Sequence, residues 1–521
     1  MAKGVSMATP NKKLAESLDV LKKLQEGGGR IFRSEELSRI HRERLVANGF
    51  LKEVMKGWLI TASPSAREGD STPWYASFWE FCARYCNERF SDDWHLSPEQ
   101  SLLLHGEKTV IPAQVVAYSP KGTNNTVSLL FGTSIYDLKQ STMPTASDLV
   151  MRDGLRFFSP AAALVRVPES FFGRNPIETQ VVLAGIADAS DILRLLLNGG
   201  HSAKAGQLAG AFRRTHRPEL AEEIISAMKS AGYDVRESDP FEAGQTFGAL
   251  RRAGGPIVRR VQMMWESMRG AVVDIFPKAP GLPKDKDAYL RLIDGIYESD
   301  AYHSLSIEGY SVTPALIERV RAGDWDPERH EEDRRNRDAM AARGYWQAFR
   351  IVKRTVEQVI AGVNPGALVR TAHKDWYREL FQPCVTVGLV PAGSLAGYRN
   401  HPVYLRTSRY APPRWEAVRD AMPVLFDLLE KESEPAVRAV LGHWLFGYIH
   451  PYPDGNGRMA RFLMNVMLAS GGYAWTVIRV EDRDAYLDAL DRASIDVNIK
   501  PFSEFVAERT RWSPGARERP S

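Results

Sequence analysis

Apolar residues along the chain fall into a few distinct textures. Leu14, Leu18, Leu21 and Leu24 repeat at helical spacing until Gly27-Gly28-Gly29 stops them. Ser34 reads as the N-cap of a short helix with Leu37 and Ile40 inward, and Asn48-Gly49 breaks the helix after it. Residues 50–54 and 57–60 then alternate as two strands of a hairpin. Trp74 to Phe90 is aromatic-rich and helical, and the following stretch reads as strands around a polar turn at Lys121–Thr126. Thr179–Leu197 reads as one apolar helix, and His216 to Gly232 as another. From about Pro280 onward, long helices predominate, with one β-like interruption near 384–405. The first 13 residues and the tail WSPGARERPS are polar, and both ends read as frayed or disordered.

The order helix, helix, helix, hairpin over residues 1–65 is that of a winged helix. Five segments follow from the textures: a winged-helix-like domain at 1–65, a mixed α/β domain at 66–200, a helical connection at 201–284, a mainly α core at 285–505 and a disordered tail at 506–521. The length of 521 residues agrees with several domains.

Composition narrows the function classes. The formal net charge of +4 is too balanced for a chain that coats nucleic acid. A local exception is residues 30–56, with seven basic against four acidic side chains, which fits either a solvated face or DNA contact through residues 30–61. No apolar run approaches the ~18 residues of a membrane helix, and the N-terminus lacks an apolar signal region. Three cysteines are too few and too odd for a disulfide framework, so a reducing cytoplasm is expected.

One segment carries chemistry. A helix is expected from Pro435 to about Ile449, and a second from about Arg458 to Gly471-Gly472. Between them lies His450-Pro451-Tyr452-Pro453-Asp454-Gly455-Asn456-Gly457, which two prolines and two glycines keep from being helical. A glycine-rich loop feeding a helix N-terminus is a ready anion site, and Gly455 and Gly457 allow close approach of the backbone. Arg458 and Arg461 share one helix face and can clamp two phosphates. Asp454 is a hard oxygen ligand suited to Mg²⁺ held jointly with phosphates, and His450 is the natural general base. The loop is neither a Walker A motif nor a dinucleotide fingerprint.

His450 to Arg461, HPYPDGNGRMAR, resembles the Fic-family signature His-x-Phe-x-Asp/Glu-Gly-Asn-Gly-Arg-x-x-Arg, with Tyr452 in place of the usual Phe. His443, seven residues earlier, also fits, although as a packing residue. Residues 392–405, AGSLAGYRNHPVYL, with Gly397-Tyr398-Arg399, look like the family's target-docking flap hairpin, which aligns a protein segment by strand pairing. The resemblance spans roughly 285–505. It implies transfer of AMP from ATP to a Ser, Thr or Tyr hydroxyl of a protein. His450 would take the hydroxyl proton and Asp454 would hold Mg²⁺. Asn456, with the amides of Gly455 and Gly457, would stabilise phosphate charge, and Arg458 and Arg461 would bind the β/γ end. Ser304, Glu308 and Gly309 resemble the family's inhibitory motif, in which the glutamate pairs with Arg461 and takes the place of the γ-phosphate. Removal of AMP by the same residues is the alternative, and the implied partners are ATP, a protein target, self-modification and a homodimer. The N-terminal half is reminiscent of AbiEi-type antitoxin regulators over about 14–200, which implies DNA binding or partner recognition.

Overall fold

In the computed structural model the described residues are 10–26, 28–64, 69–241, 254–323 and 337–512. They divide into two compact units, 1–246 with 404–411 and 247–403 with 412–521.

The first unit opens with α1 (Pro10–Leu24), β1 (Ile31–Arg33), a single 3₁₀ turn (Ser34–Glu36), α2 (Arg39–Ala47), β2 (Leu51–Met55) and β3 (Trp58–Thr61). The strands form one antiparallel sheet ordered β1-β3-β2. Strand alternation gives it two apolar faces. Phe32 and Leu59 pack with Leu21, Leu37 and Leu45, whereas Ile31, Trp58 and Ile60 pack against α3 (Thr72–Phe90) through Trp74, Phe78 and Phe81. Three expectations need correction. The middle helix is only the 3₁₀ turn, and Ile31–Arg33 before it is a strand of the sheet. Ser34 caps no α-helix but opens the 3₁₀ turn, and Ser38 is the N-cap of α2, its side chain accepting from the His41 amide. Starting there, α2 turns Leu45 inward and leaves Ile40 65% exposed.

Next come β4 (His95–Leu96), α4 (Pro98–His105), β5 (Gln114–Ser119), β6 (Asn125–Ser128) and β7 (Ser134–Lys139). These build a mixed sheet ordered β4-β5-β7-β6, in which β5 and β7 run parallel. The polar turn at 121–126 is tied down by buried Asp137, which accepts from the Thr123 and Asn125 amides. The hairpin of β8 (Leu149–Arg152) and β9 (Leu155–Phe158) leads into α5 (Pro160–Arg166), α6 (Ser170–Arg174), α7 (Pro176–Gly185), α8 (Ser190–Gly199), α9 (Ser202–Arg214) and α10 (Pro218–Ser230). The single helix expected over 179–197 is thus two, broken at Ile186–Ala189 where Asp188 accepts from the Ser190 amide. The unit also holds residues 404–411. The Ile111 amide donates to Arg409 O, Arg409 returns its guanidinium to Ile111 O, and Tyr410 is buried.

The second unit is helical: α11 (Pro256–Ile275), α12 (Lys286–Ile307), α13 (Pro314–Ala322), α14 (Arg337–Ile360), α15 (Pro365–Thr386), α16 (Trp415–Lys431), α17 (Pro435–Ile449), α18 (Asn456–Ala469), α19 (Arg483–Ile495) and α20 (Lys500–Trp512). The expected disordered tail therefore starts too early, since 506–512 continue α20; its remainder lies outside the described residues. Nearly every residue of α17 and α18 is buried, so these two helices are the centre of the unit. The β-like interruption near 384–405 is not a strand: α15 runs to Thr386, and a 3₁₀ turn at Ala392–Leu395 precedes bends and turns. The chain is thus a multidomain protein with a mainly α C-terminal core after a mixed α/β region. Among the described residues, no helix is long and apolar enough to cross a membrane.

Candidate active site

The loop between α17 and α18 is built to be rigid. His450 closes α17 in the left-handed region, φ 51°, its amide still donating to Phe446 O at 2.9 Å. A non-glycine residue held there carries strain of the kind that functional sites retain. Asn456 is buried and locks the loop from within: its Oδ1 accepts from the Tyr452 amide at 2.9 Å and its Nδ2 donates to Tyr452 O at 2.8 Å. The Asn456 side chain thus makes one bond to the loop backbone at each end of its amide. α18 begins at Asn456, two residues before the expected Arg458, because Gly455 supplies the left-handed turn, φ 78°, that starts it. A β-carbon at Gly455 would lie 2.6 Å from the ring of Phe381.

His450 Nδ1 faces Gly447 O at 3.2 Å. A carbonyl only accepts, so Nδ1 carries the proton and Nε2 keeps its lone pair. Burial pushes the pKa of His450 down to about 4, and the Gly447 carbonyl opposes this only in part. The imidazole is therefore neutral at pH 7 and able to take a proton.

The first amides of α18 have no partner inside the helix, and the helix dipole makes their end an anion site. A carboxylate already sits there. A β-carbon on Gly457 would lie 2.3 Å from Glu308 Oε1, and that oxygen accepts from Arg461 NH2 at 2.6 Å. Glu308 is delivered by the end of α12. Gly309 adopts φ 86° and the Tyr310 amide donates back to Leu305 O at 3.1 Å, which stops the helix and turns the side chain toward α18. One turn earlier, Ser304 Oγ accepts from Arg461 Nε at 2.8 Å, and Ser304 O accepts from Arg461 NH2 at 3.0 Å. The structure thus brings Ser304, Glu308 and Arg461 together. Burial pulls the Glu308 carboxyl upward, but Arg461 and then Arg458 outweigh it and hold the group below its ordinary value. It is ionised at neutral pH.

Arg458 is differently placed. It is buried, its guanidinium 5.2 Å from the Tyr310 ring centre and 5.0 Å from that of Phe381. Its Nε and one terminal nitrogen have no hydrogen-bond partner, and Asp454 Oδ2 approaches only to 3.7 Å. Orphaned donors on a buried cation fit an anionic ligand oxygen. Asp454 is 59% exposed at the mouth of the loop. Among the described residues no group of three His, Cys, Asp or Glu side chains could hold a metal. A cation at Asp454 would take its other ligands from phosphate and water, which is how Mg²⁺ is commonly held.

The expected flap residues are tied inward by hydrogen bonds. Arg399 is 1% exposed, its Nε donating to His450 O at 2.7 Å and its amide to Pro451 O at 2.8 Å, with further bonds to His401 O and Pro413 O. The Tyr398 hydroxyl donates to His373 Nε2 at 3.0 Å. Gly397, at φ 146°, takes a conformation open to few other residues. Residues 396–407 form bends and turns, and no hairpin is present there.

Sequence reasoning missed Phe381 and Tyr310, which flank Arg458, and Asp300, one turn before Ser304. Asp300 accepts from the Tyr345 hydroxyl at 2.6 Å, and burial raises its pKa to about 6. Its four-residue spacing from Ser304 was the available signal. His443 is buried and bonded to the Tyr486 hydroxyl at 2.8 Å, a packing residue.

Residues 367–468 match the Fic/DOC family. The chain carries a Fic domain in its C-terminal part. Among curated relatives, "Protein adenylyltransferase Fic" of Nematostella vectensis is 28% identical over 261 residues, covering 48% of this chain and 56% of that protein. "Protein adenylyltransferase fic-1" of Caenorhabditis elegans is 32% identical over 119 residues, 22% of this chain and 23% of that one. The chain thus spans about half, or less, of the length of these relatives. Among solved structures, C. elegans Fic-1 (residues 134–508) aligns with TM-score 0.36 and 18% identity over 62% of this chain and 90% of that one. A Fic-domain signalling protein of Bacteroides thetaiotaomicron aligns with TM-score 0.34 and 20% identity over 49% and 92%.

Proposed function

We propose that this chain is a protein adenylyltransferase that moves AMP from ATP onto a Ser, Thr or Tyr hydroxyl of a protein and is held in check by Glu308. The observation that carries the reading is the pairing of a neutral, αL-held His450 with the anion site of α18 on which the Glu308 carboxylate rests.

The first amides of α18, at Asn456 and Gly457, and the orphaned donors of Arg458 bind the phosphates, beside the Gly455 amide that donates to Asp454 Oδ1 at 2.6 Å. Asp454 is the residue that would hold Mg²⁺, which when bound neutralises charge on the departing pyrophosphate. His450 Nε2 takes the proton of the target hydroxyl as its oxygen bonds to the α-phosphorus. The bond from that phosphorus to the bridging oxygen breaks, and pyrophosphate leaves with the electron pair. The proton passes from His450 to solvent. The product is a phosphodiester between AMP and the target side chain. With Glu308 in place Arg461 is bonded to Ser304 and Glu308, and the γ-phosphate meets a like charge where its cation should be.

The test is the intact mass of the wild-type and Glu308→Gly chains after incubation with Mg-ATP and a protein lysate fraction. Gain of one adenylyl mass by the variant or by added protein, far above wild type, is expected. If the variant adds no AMP but has lost the power to remove it from a modified protein, Glu308 positions water and the chain is an eraser. If neither activity is present in either protein, the reading is wrong.

A further inference from the structure

Beside the catalytic loop, within the second unit, lies a groove of about 670 Å³. Residues 391–401 wall it on one side, α15 and α16 on the other, and Tyr452 and Pro453 close one end. The Arg399 contacts to His450 O and Pro451 O fasten the first wall to the loop that carries the base, so a chain lying in the groove is brought up to His450. Part of its surface is aromatic: Tyr377 and Tyr452 stack at 3.7 Å with their planes 7° apart, and Tyr398 stands 5.6 Å from Tyr452.

The charge of the groove is one-sided. Lys374 and Arg378 lie one turn apart on α15, Arg419 lies on α16, and all three are exposed. Among the described residues no aspartate or glutamate lines the groove with them. Arg378 has one acidic partner, Asp375 on its own helix at 3.1 Å, with both side chains more than half exposed. Such a pair contributes little. Arg419 leans on the ring of Trp415, 5.4 Å away. Two like charges at four-residue spacing are mildly unfavourable for the helix itself, so folding supplies no reason for them. The Tyr452 hydroxyl is also buried without a hydrogen-bond partner.

We propose that this groove selects an acidic target segment, a stretch of protein whose carboxylates flank the accepting hydroxyl and face Lys374, Arg378 and Arg419. The inference rests on the adenylyltransferase reading and names its substrate class. Opposite charge along the groove speeds encounter and rejects basic segments.

The test uses the full-length Glu308→Gly chain and two sets of synthetic peptides of equal length, each with one central Ser, Thr or Tyr, flanked by glutamates in one set and by lysines in the other. Binding is read by fluorescence anisotropy, and transfer by labelled AMP. The glutamate peptides should bind about tenfold tighter at low salt. That advantage should shrink as the screening length falls from about 30 Å toward about 8 Å. Arg378→Glu combined with Arg419→Glu should reverse the preference and leave the thermal shift induced by Mg-ATP unchanged. Equal binding of the two sets, or a preference that survives the charge reversal, overturns the proposal. If glutamate peptides bind as stated yet acquire no AMP, the groove stands and the adenylyltransferase reading falls. Equal transfer to both sets keeps the activity and overturns the selectivity.

Discussion

Removing the Glu308 carboxylate separates two consequences of one contact. In the resting chain, Arg461 makes three hydrogen bonds, to Ser304 Oγ, Ser304 O and Glu308 Oε1. The Arg461 side chain is 5% exposed and that of Glu308 26%. A charge-assisted hydrogen bond contributes about 1.5–3 kcal/mol, and partial exposure of the acid places this one toward the lower end. Arg461 keeps its two Ser304 partners in the variant, so the buried cation is not stranded. Glu308→Gly should therefore lower stability without nucleotide by about 1–2 kcal/mol, a fall of roughly 3–6 °C for a unit of this size. Mg-ATP should restore more in the variant than in wild type, because the γ-phosphate replaces the lost anion without displacing one. Turnover responds more strongly still. If Glu308 is the brake, an occupied Arg461 displaces the triphosphate, and a misplacement near ~1 Å costs about 10²-fold. The variant should transfer AMP faster by about that factor. Glu308→Gln, which keeps the shape and removes the charge, should fall between the two. Scanning calorimetry with and without Mg-ATP, beside intact-mass time courses, reads both effects. A variant with unchanged melting, equal nucleotide stabilisation and flat self-modification would refute the idea that this ion pair is the brake.

Other outcomes follow from single residues. His450→Ala should abolish transfer and leave the Mg-ATP thermal shift intact. In the Glu308→Gly background the pH–rate profile should show no His450 inflection near 6.5, because a base whose pKa is about 4 stays neutral above that range and loses activity only as pH falls toward 4. Arg399→Lys should destabilise the second unit by several kcal/mol, since one ammonium cannot span carbonyls of His450, His401 and Pro413, and chemical denaturation measures it. Tyr452→Phe should be neutral or stabilising by up to about 1–3 kcal/mol, as it deletes a buried hydroxyl without a partner, and the same denaturation midpoint checks it. If α2 and its flanking hairpin contact DNA, Arg39→Ala with Arg42→Ala should weaken retention and flatten its salt slope. An unchanged slope removes that role from this face.

The loop at 450–457 was legible because its information is local. Two prolines and two glycines within seven residues forbid helix whatever surrounds them, and a base, an acid and two arginines at fixed offsets lie on consecutive turns. For the same reason α17 was readable to its last residue, Ile449. The Glu308 motif could be read as a pattern, but its meeting with Arg461, 153 residues away, is a tertiary fact. Inward or outward orientation was less accessible. Ile40 has the spacing of a core residue and faces solvent, because the cap at Ser38 rotates the helix by its own register. Arg399 and Tyr398 carry polar groups that read as surface, yet Arg399 is buried to meet carbonyls of a loop about fifty residues away, and the Tyr398 hydroxyl is bonded inward to His373. Nothing near residues 404–411 marks them as part of the first unit, since their partner, Ile111, is 298 positions from Arg409. Periodicity and turn chemistry act over a few residues, so they specify elements and local motifs. Which buried cation meets which distant carboxylate, ring or carbonyl is decided by desolvation, once the elements are packed and every polar group inside must find a partner.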